Sequence, residues 1–202
     1  MSVPRGTQVR KLETVKSRPL TVRKDVADGF LANITRTLRV CVTHENSLVS
    51  PGSFAGVDLE SGRQRDGTLR ARCSFEAGTR AVTISSKIKA GDLFWVRADA
   101  RGRDESTLTV EVLDVDVSRL QDMTDQDALA AGAALFANKF KTSGTPRQWF
   151  AAHWDSLARG TRRAPNLRAT WIQNPWVWTY HLKTYHRSID YLLRERNAER
   201  NP

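Results

Sequence analysis

At 202 residues, 40% hydrophobic and 27% charged, the chain has the length for one generous domain and the composition of a folded protein, which excludes both a disordered polymer and a pair of ordinary enzyme domains. Its 32 Lys and Arg against 22 Asp and Glu give a formal charge of +10, so the field around it draws polyanions, and nucleic acid is the partner this balance implies. With no apolar run near the ~20 residues of a membrane span, no hydrophobic leader and no clustered Cys/His pattern, the sequence reads as cytoplasmic, without membrane, metal or cofactor.

Residues 1–17 are polar and carry Arg5, Arg10, Lys11 and Lys16, the pattern of a flexible basic arm. Arg18 to Arg23 alternates like a short strand with Pro19 at its edge. Asp25 can cap a helix on which Val26, Phe30, Leu31 and Ile34 recur at helical spacing. A half-wet strand is predicted over Arg36 to Val42, from Leu38, Val40 and Val42. Residues 45–67, rich in Ser, Gly and Pro, read as a long loop inserted in the domain.

A strand pair is predicted over Leu69–Phe75 and Ala81–Ile84, and Lys89-Ala90-Gly91-Asp92 forms a tight turn into a strand over Leu93–Arg97. Ser106 to Leu120 has the clearest alternation, and its slip in phase near Val112 predicts a bulge. Thr124 and Asp127 form an acidic capping box that starts an Ala-rich helix through Phe140. A second helix is expected over Pro146–Ala158, with Trp149, Phe150, Trp154 and Leu157 on one face and Gly160 ending it. Asn174 to Leu182 suits a closing barrel strand, and residues 185–202 an amphipathic helical tail. The central domain is thus expected over residues 18–184.

Several of these pieces, in order, carry a family resemblance: Ile88 to Arg97, Leu108 to Gly132 with its Arg119-Leu120-Gln121-Asp122 block, Trp154-Asp155-Ser156-Leu157, and Asn174-Pro175-Trp176-Val177-Trp178. Covering about half the chain, they resemble phage and prophage ASCH-domain proteins of the PUA-like superfamily. The resemblance implies an α+β fold: a small mixed β-barrel with flanking helices and extended termini. Thr35, Thr37 and Arg39 match the family's Gly-x-Lys-Thr-x-Thr-x-Arg type element, but its lysine position falls on Ile34 or Thr35. Ala98 stands where the family strand continues with glutamate. Some relatives are similar to amidohydrolases of acylated cytidine that use Lys, Thr and Glu. Here the Lys and Glu are missing, and a Thr hydroxyl without a base beside it is a poor nucleophile.

The expectation is therefore a nucleic-acid-binding module, RNA favoured, with no assigned catalytic residue; Thr35, Thr37 and Glu111 are the weak candidates, and Asp99 a further carboxylate. Arg36, Arg39 and Arg97 are the expected cleft contacts, with Arg39 and Arg97 on adjacent segments at the barrel mouth, unless each instead pairs with a strand carboxylate such as Glu111 or Asp114. Arg162, Arg163 and Arg168, in a basic loop that also holds Arg159, are placed to meet phosphate, and Trp171 to stack on a base. Trp176, Trp178 and Tyr180 share the core face of their strand, and His153, His181 and His186 lack metal-site spacing. The alternatives are a nucleoside amidohydrolase or ribonuclease of the ASCH type, and a phage structural or host-interaction protein whose terminal arms order against a phage or host partner.

Overall fold

The computed structural model describes residues 18–22, 24–41, 54–59, 68–75, 81–98, 107–140, 143–159 and 169–200. Eight strands are found among them: β1 (Arg18–Val22), β2 (Thr37–Cys41), β3 (Phe54–Leu59), β4 (Arg70–Phe75), β5 (Val82–Ser85), β6 (Leu93–Ala98), β7 (Thr109–Arg119) and β8 (Trp176–Tyr185). The helices are α1 (Lys24–Leu31), α2 (Asp125–Ala130), α3 (Ala133–Phe140), α4 (Pro146–Arg159) and α5 (Ile189–Arg200). A five-stranded sheet runs in the order β1-β6-β7-β8-β2, parallel only between β1 and β6, and a separate antiparallel sheet in the order β3-β4-β5.

The chain is thus a mixed α+β protein with two sheets. The closed barrel expected from the sequence does not form among the described residues, because β2 pairs only with β8, β3 pairs only with β4, and neither edge meets the other. Strand alternation then places two cores. On the inner face, Phe94 and Val96 of β6, Val110, Val112 and Val115 of β7, and Trp178, Tyr180 and Leu182 of β8 meet Phe30 of α1 and the second sheet's Val57, Ala71, Cys73 and Ile84. On the outer face, Cys41 and Val177 pack under Ala128, Phe136, Phe150 and Trp154 of α2, α3 and α4. Cys41 and Cys73 are both buried but in different cores, so no disulfide joins them, and burial pushes the Cys73 thiol up to about 11.

The bulge lies where the phase slips. The β7–β8 register shifts between Val112 and Asp114, leaving Leu113 52% exposed while valines on both sides stay buried. The expected turn is present: Gly91 has φ +88°, and the Lys89 N–H donates to Asp92 Oδ2 at 3.0 Å. Four expectations are corrected. Residues 54–59 within the expected loop form a strand, with an irregularity between Phe54 and Gly56 that breaks its alternation; the rest of that loop lies outside the described residues, as does the arm at 1–17. The Ala-rich helix breaks at Gly132 (φ +88°) into α2 and α3. The first helix ends at Leu31, and it buries Ala27, Gly29 and Phe30 while Leu31 and Ile34 are exposed. Finally, β8 is an internal strand between β7 and β2, not a closing one.

The capping box at α2 is complete. Asp127 N–H donates to Thr124 Oγ1 at 3.1 Å, and the Thr124 N–H donates to Asp127 Oδ2 at 2.8 Å. That backbone donation is the main reason Asp127 titrates below the usual carboxylate range; the Thr124 hydroxyl and the charges of Arg39 and His181 add to it against the opposing effect of burial. Asp127→Ala is expected to cost about 1 kcal/mol at pH 7. A depressed folded pKa contributes stability that is fully present above the unfolded carboxylate value of ~3.9 and lost as pH falls through the folded value. Urea titrations of both proteins from neutral to acid pH should show a gap that is flat above about pH 5 and closes below it. A gap that widened with acid would contradict the assignment.

Candidate functional site

On the outer face, where β7, β8 and β2 lie side by side, the register lines polar residues up in two cross-strand rows. Asp116, Thr179 and Arg39 form one; Asp114, His181 and Thr37 form the other. Directly opposed residues in antiparallel strands bring their Cβ atoms to about 4.5–5.5 Å, so each row is a contact row. α2 joins them through Asp127, whose charge acts on both Arg39 and His181. Backbone bonds fix the assembly: Arg36 N–H to Ala130 O at 2.6 Å ties β2 to α2, and Leu182 N–H to Arg36 O at 2.8 Å extends the β2–β8 pairing.

Polar groups in this patch are buried without internal partners. Thr37 is 7% exposed and Thr179 4%, and neither hydroxyl makes a hydrogen bond among the described residues; the buried Nη1 of half-buried Arg39 makes none either. Burial lowers the pKa of the Arg39 guanidinium and Asp127 pushes it back, and the group stays cationic at neutral pH. At the rim, His181 Nε2 lies 2.9 Å from Asp116 Oδ2, with both side chains substantially exposed. Thr35, 2% exposed, lies between Gly29 and Gly132, its Oγ1 abutting both. It is a packing residue of the α1–α3 junction.

A scan against protein-family models, a search of curated proteins and a search of solved structures each return no match to this chain.

Of the sequence-predicted residues, Thr37 and Arg39 fall in the patch, and Arg36 lies beside it with its side chain exposed. Arg97 does not. It sits on β6, separated from β2 by β7 and β8, so the expected adjacency of Arg39 and Arg97 is corrected; its guanidinium lies 6.0 Å from the Trp95 ring, and its buried Nε has no hydrogen-bond partner among the described residues. Glu111 pairs with neither Arg39 nor Arg97 in the register; its carboxylate accepts from the Tyr185 hydroxyl at 2.6 Å and meets Arg196 at 2.7 Å. Trp171, in a 3-10 turn over Trp171–Gln173, is half-buried, edge-on to Phe150 at 6.4 Å and covered by Arg147 at 5.7 Å. Arg162, Arg163, Arg168 and Asp99 lie outside the described residues.

Sequence reasoning missed His181 and Asp116. The signal was available, since the alternation that points Val115 and half-buried Val117 into the core turns Asp114 and Asp116 to the opposite side, and Thr179 and His181 share one side of β8. Among the described residues no cluster of His, Cys, Asp and Glu suits a metal ion, and no helix is long and apolar enough to cross a membrane.

Proposed function

We propose that the chain is a nucleic-acid-binding module of the PUA-like, ASCH kind, RNA favoured, built on an open pair of sheets. The observation that carries this reading is the distribution of its +10 charge. On β4 the alternation that buries Ala71 and Cys73 turns Arg70 and Arg72 to solvent beside exposed Thr83 and Ser85 of β5, and Arg36 is exposed at the rim of the polar patch. Exposed guanidiniums with hydroxyl neighbours meet phosphate oxygens, contacts that set affinity without reading sequence.

Titration of the full chain against single-stranded RNA, single-stranded DNA and duplex DNA at two salt concentrations tests it. Binding is expected to weaken by at least tenfold between about 50 and 200 mM salt, the response of a protein that displaces several counterions. Failure to bind any of the three at the lower salt would remove the reading.

A second reading, hydrolysis, is favoured by one specific observation. The site was expected to lack proton-transfer groups, yet His181 stands directly opposite Thr37 in the β2–β8 register and is paired with Asp116. An imidazole oriented by a carboxylate is the usual device for activating a hydroxyl or a water. Turnover of acylated cytidine or of labelled RNA, abolished by His181→Gln, would establish it.

A further inference from the structure

We infer that Arg97, on the outer face of β6, holds a phosphate group between the hydroxyls of Thr21 and Thr107, with β7 and β8 separating this site from Arg39. The nucleic-acid reading above supplies one source of that phosphate; the site itself is argued from its own geometry.

Register builds the row. Thr21 of β1 is the parallel partner of Arg97. On the other side, the β6–β7 pairing that sets Trp95 against Thr109 continues through the Val96 N–H donating to Leu108 O at 2.9 Å, which brings Thr107 opposite Arg97. Neighbouring strands lie about 4.8 Å apart, so one small ligand can touch all three side chains. Phe94 and Val96 point into the inner core, so Arg97 projects from the opposite face, where Thr21 and Thr107 are both exposed.

The guanidinium is steadied there and yet left without an acceptor. It lies 6.0 Å from the Trp95 ring centroid, and its Nε is buried with no hydrogen-bond partner. Arg97 makes no hydrogen bond or ion pair among the described residues. A buried charged donor in that state is costly, and a ligand oxygen is the partner it lacks. No carboxylate stands in its row or in the next one, formed by Pro19, Trp95 and Thr109. The first carboxylate along this face of β7 is Glu111, which Tyr185 and Arg196 already engage. The site is therefore cationic, and the donor set selects the anion. A guanidinium edge satisfies two oxygens, which is all that a carboxylate has. A tetrahedral phosphate carries further oxygens to either side, where the two hydroxyls stand.

Trp95 supplies the signal for the test, since a phosphate on Arg97 changes the surroundings of its indole, and Trp95→Phe separates that signal from those of the other tryptophans. The full chain is titrated with inorganic phosphate and with a nucleoside monophosphate, chloride holding the ionic strength constant, and with single-stranded RNA by anisotropy. Both small ligands are expected to give a saturable Trp95 signal, weakened at least about tenfold in Arg97→Gln and about three- to tenfold in Arg97→Lys, which keeps the charge and loses the fork. Thr21→Val and Thr107→Val should each weaken it about two- to fivefold. Both threonines are exposed, so these two variants decide the matter if an Arg97 variant fails to fold. For RNA, Arg97→Gln should lower the salt slope by about one. A lowered slope without free-phosphate binding supports the site and makes the strand its source. Free phosphate binding without RNA binding supports the site and removes the nucleic-acid reading. RNA binding whose affinity and slope ignore Arg97→Gln, with no saturable signal from either small ligand, overturns the inference and leaves that reading intact. A small-ligand signal indifferent to all four substitutions also overturns it, and the absence of any binding disposes of both.

Discussion

Gly132→Ala should destabilise the fold by about 2–4 kcal/mol, the sum of a left-handed backbone penalty and an overpacking cost. Gly132 has φ +88°, and it is where the chain turns from α2 into α3. A Cβ there would lie 2.7 Å from Thr35 Oγ1, inside any real contact distance. Thr35 cannot retreat, because its other side meets Gly29 and its exposure is 2%. The two contributions separate in a double-mutant cycle. With Thr35→Ala in the background the steric part disappears, and Gly132→Ala should then cost only the backbone part, about 1–2 kcal/mol. Urea unfolding of the four proteins measures this; a Gly132→Ala effect below ~0.5 kcal/mol would mean that the turn is not held as described. The site depends on this turn, since Asp127, whose charge acts on Arg39, is carried by α2, which ends at Ala130, two residues before Gly132.

What could be read in advance was local. Alternation in β7, its bulge near Val112, the Thr124–Asp127 capping box and the Lys89–Asp92 turn each depend on residues a few positions apart, and each is present. What escaped was decided by distant partners. β3 was hidden because Gly56 sits at an irregularity and because the strand is completed by pairing with β4, which nothing within 54–59 announces. The break at Gly132 was hidden because one glycine in an Ala-rich run is compatible with a helix until Thr35 fills the space beside it. Arg39 and Arg97 looked like neighbours because each matches a motif position and sits beside apolar strand residues, and only the order β6-β7-β8-β2 separates them. The same limit applies to the site: that Thr37 faces His181 and Arg39 faces Thr179 is a statement of register between strands about 140 residues apart, fixed by which faces are buried.

Glu111→Ala should cost about 2–3 kcal/mol and loosen the C-terminal helix, the outcome for a carboxylate that anchors α5. The strand residue accepts a 2.6 Å hydrogen bond from Tyr185 and a 2.7 Å ion pair from Arg196, and its side chain is only 15% exposed. Two charge-assisted contacts on a largely buried acceptor are worth more than a surface ion pair, because removing the acceptor strands a guanidinium and a phenol in a partly dry place. α5 has few other anchors: it buries Ile189 and Leu192, and Thr109 Oγ1 donates to Arg187 O at 2.9 Å just ahead of it. Trypsin should therefore cut at Arg194, Arg196 or Arg200 faster in the variant under native conditions, since transient opening of the helix governs access. Had Glu111 been a catalytic carboxylate, its loss would abolish turnover at unchanged stability. The carboxylate's engagement with Tyr185 and Arg196 leads to the opposite expectation: a less stable helix and, under the nucleic-acid reading proposed above, an affinity within about twofold of the parent at a temperature where both proteins are folded.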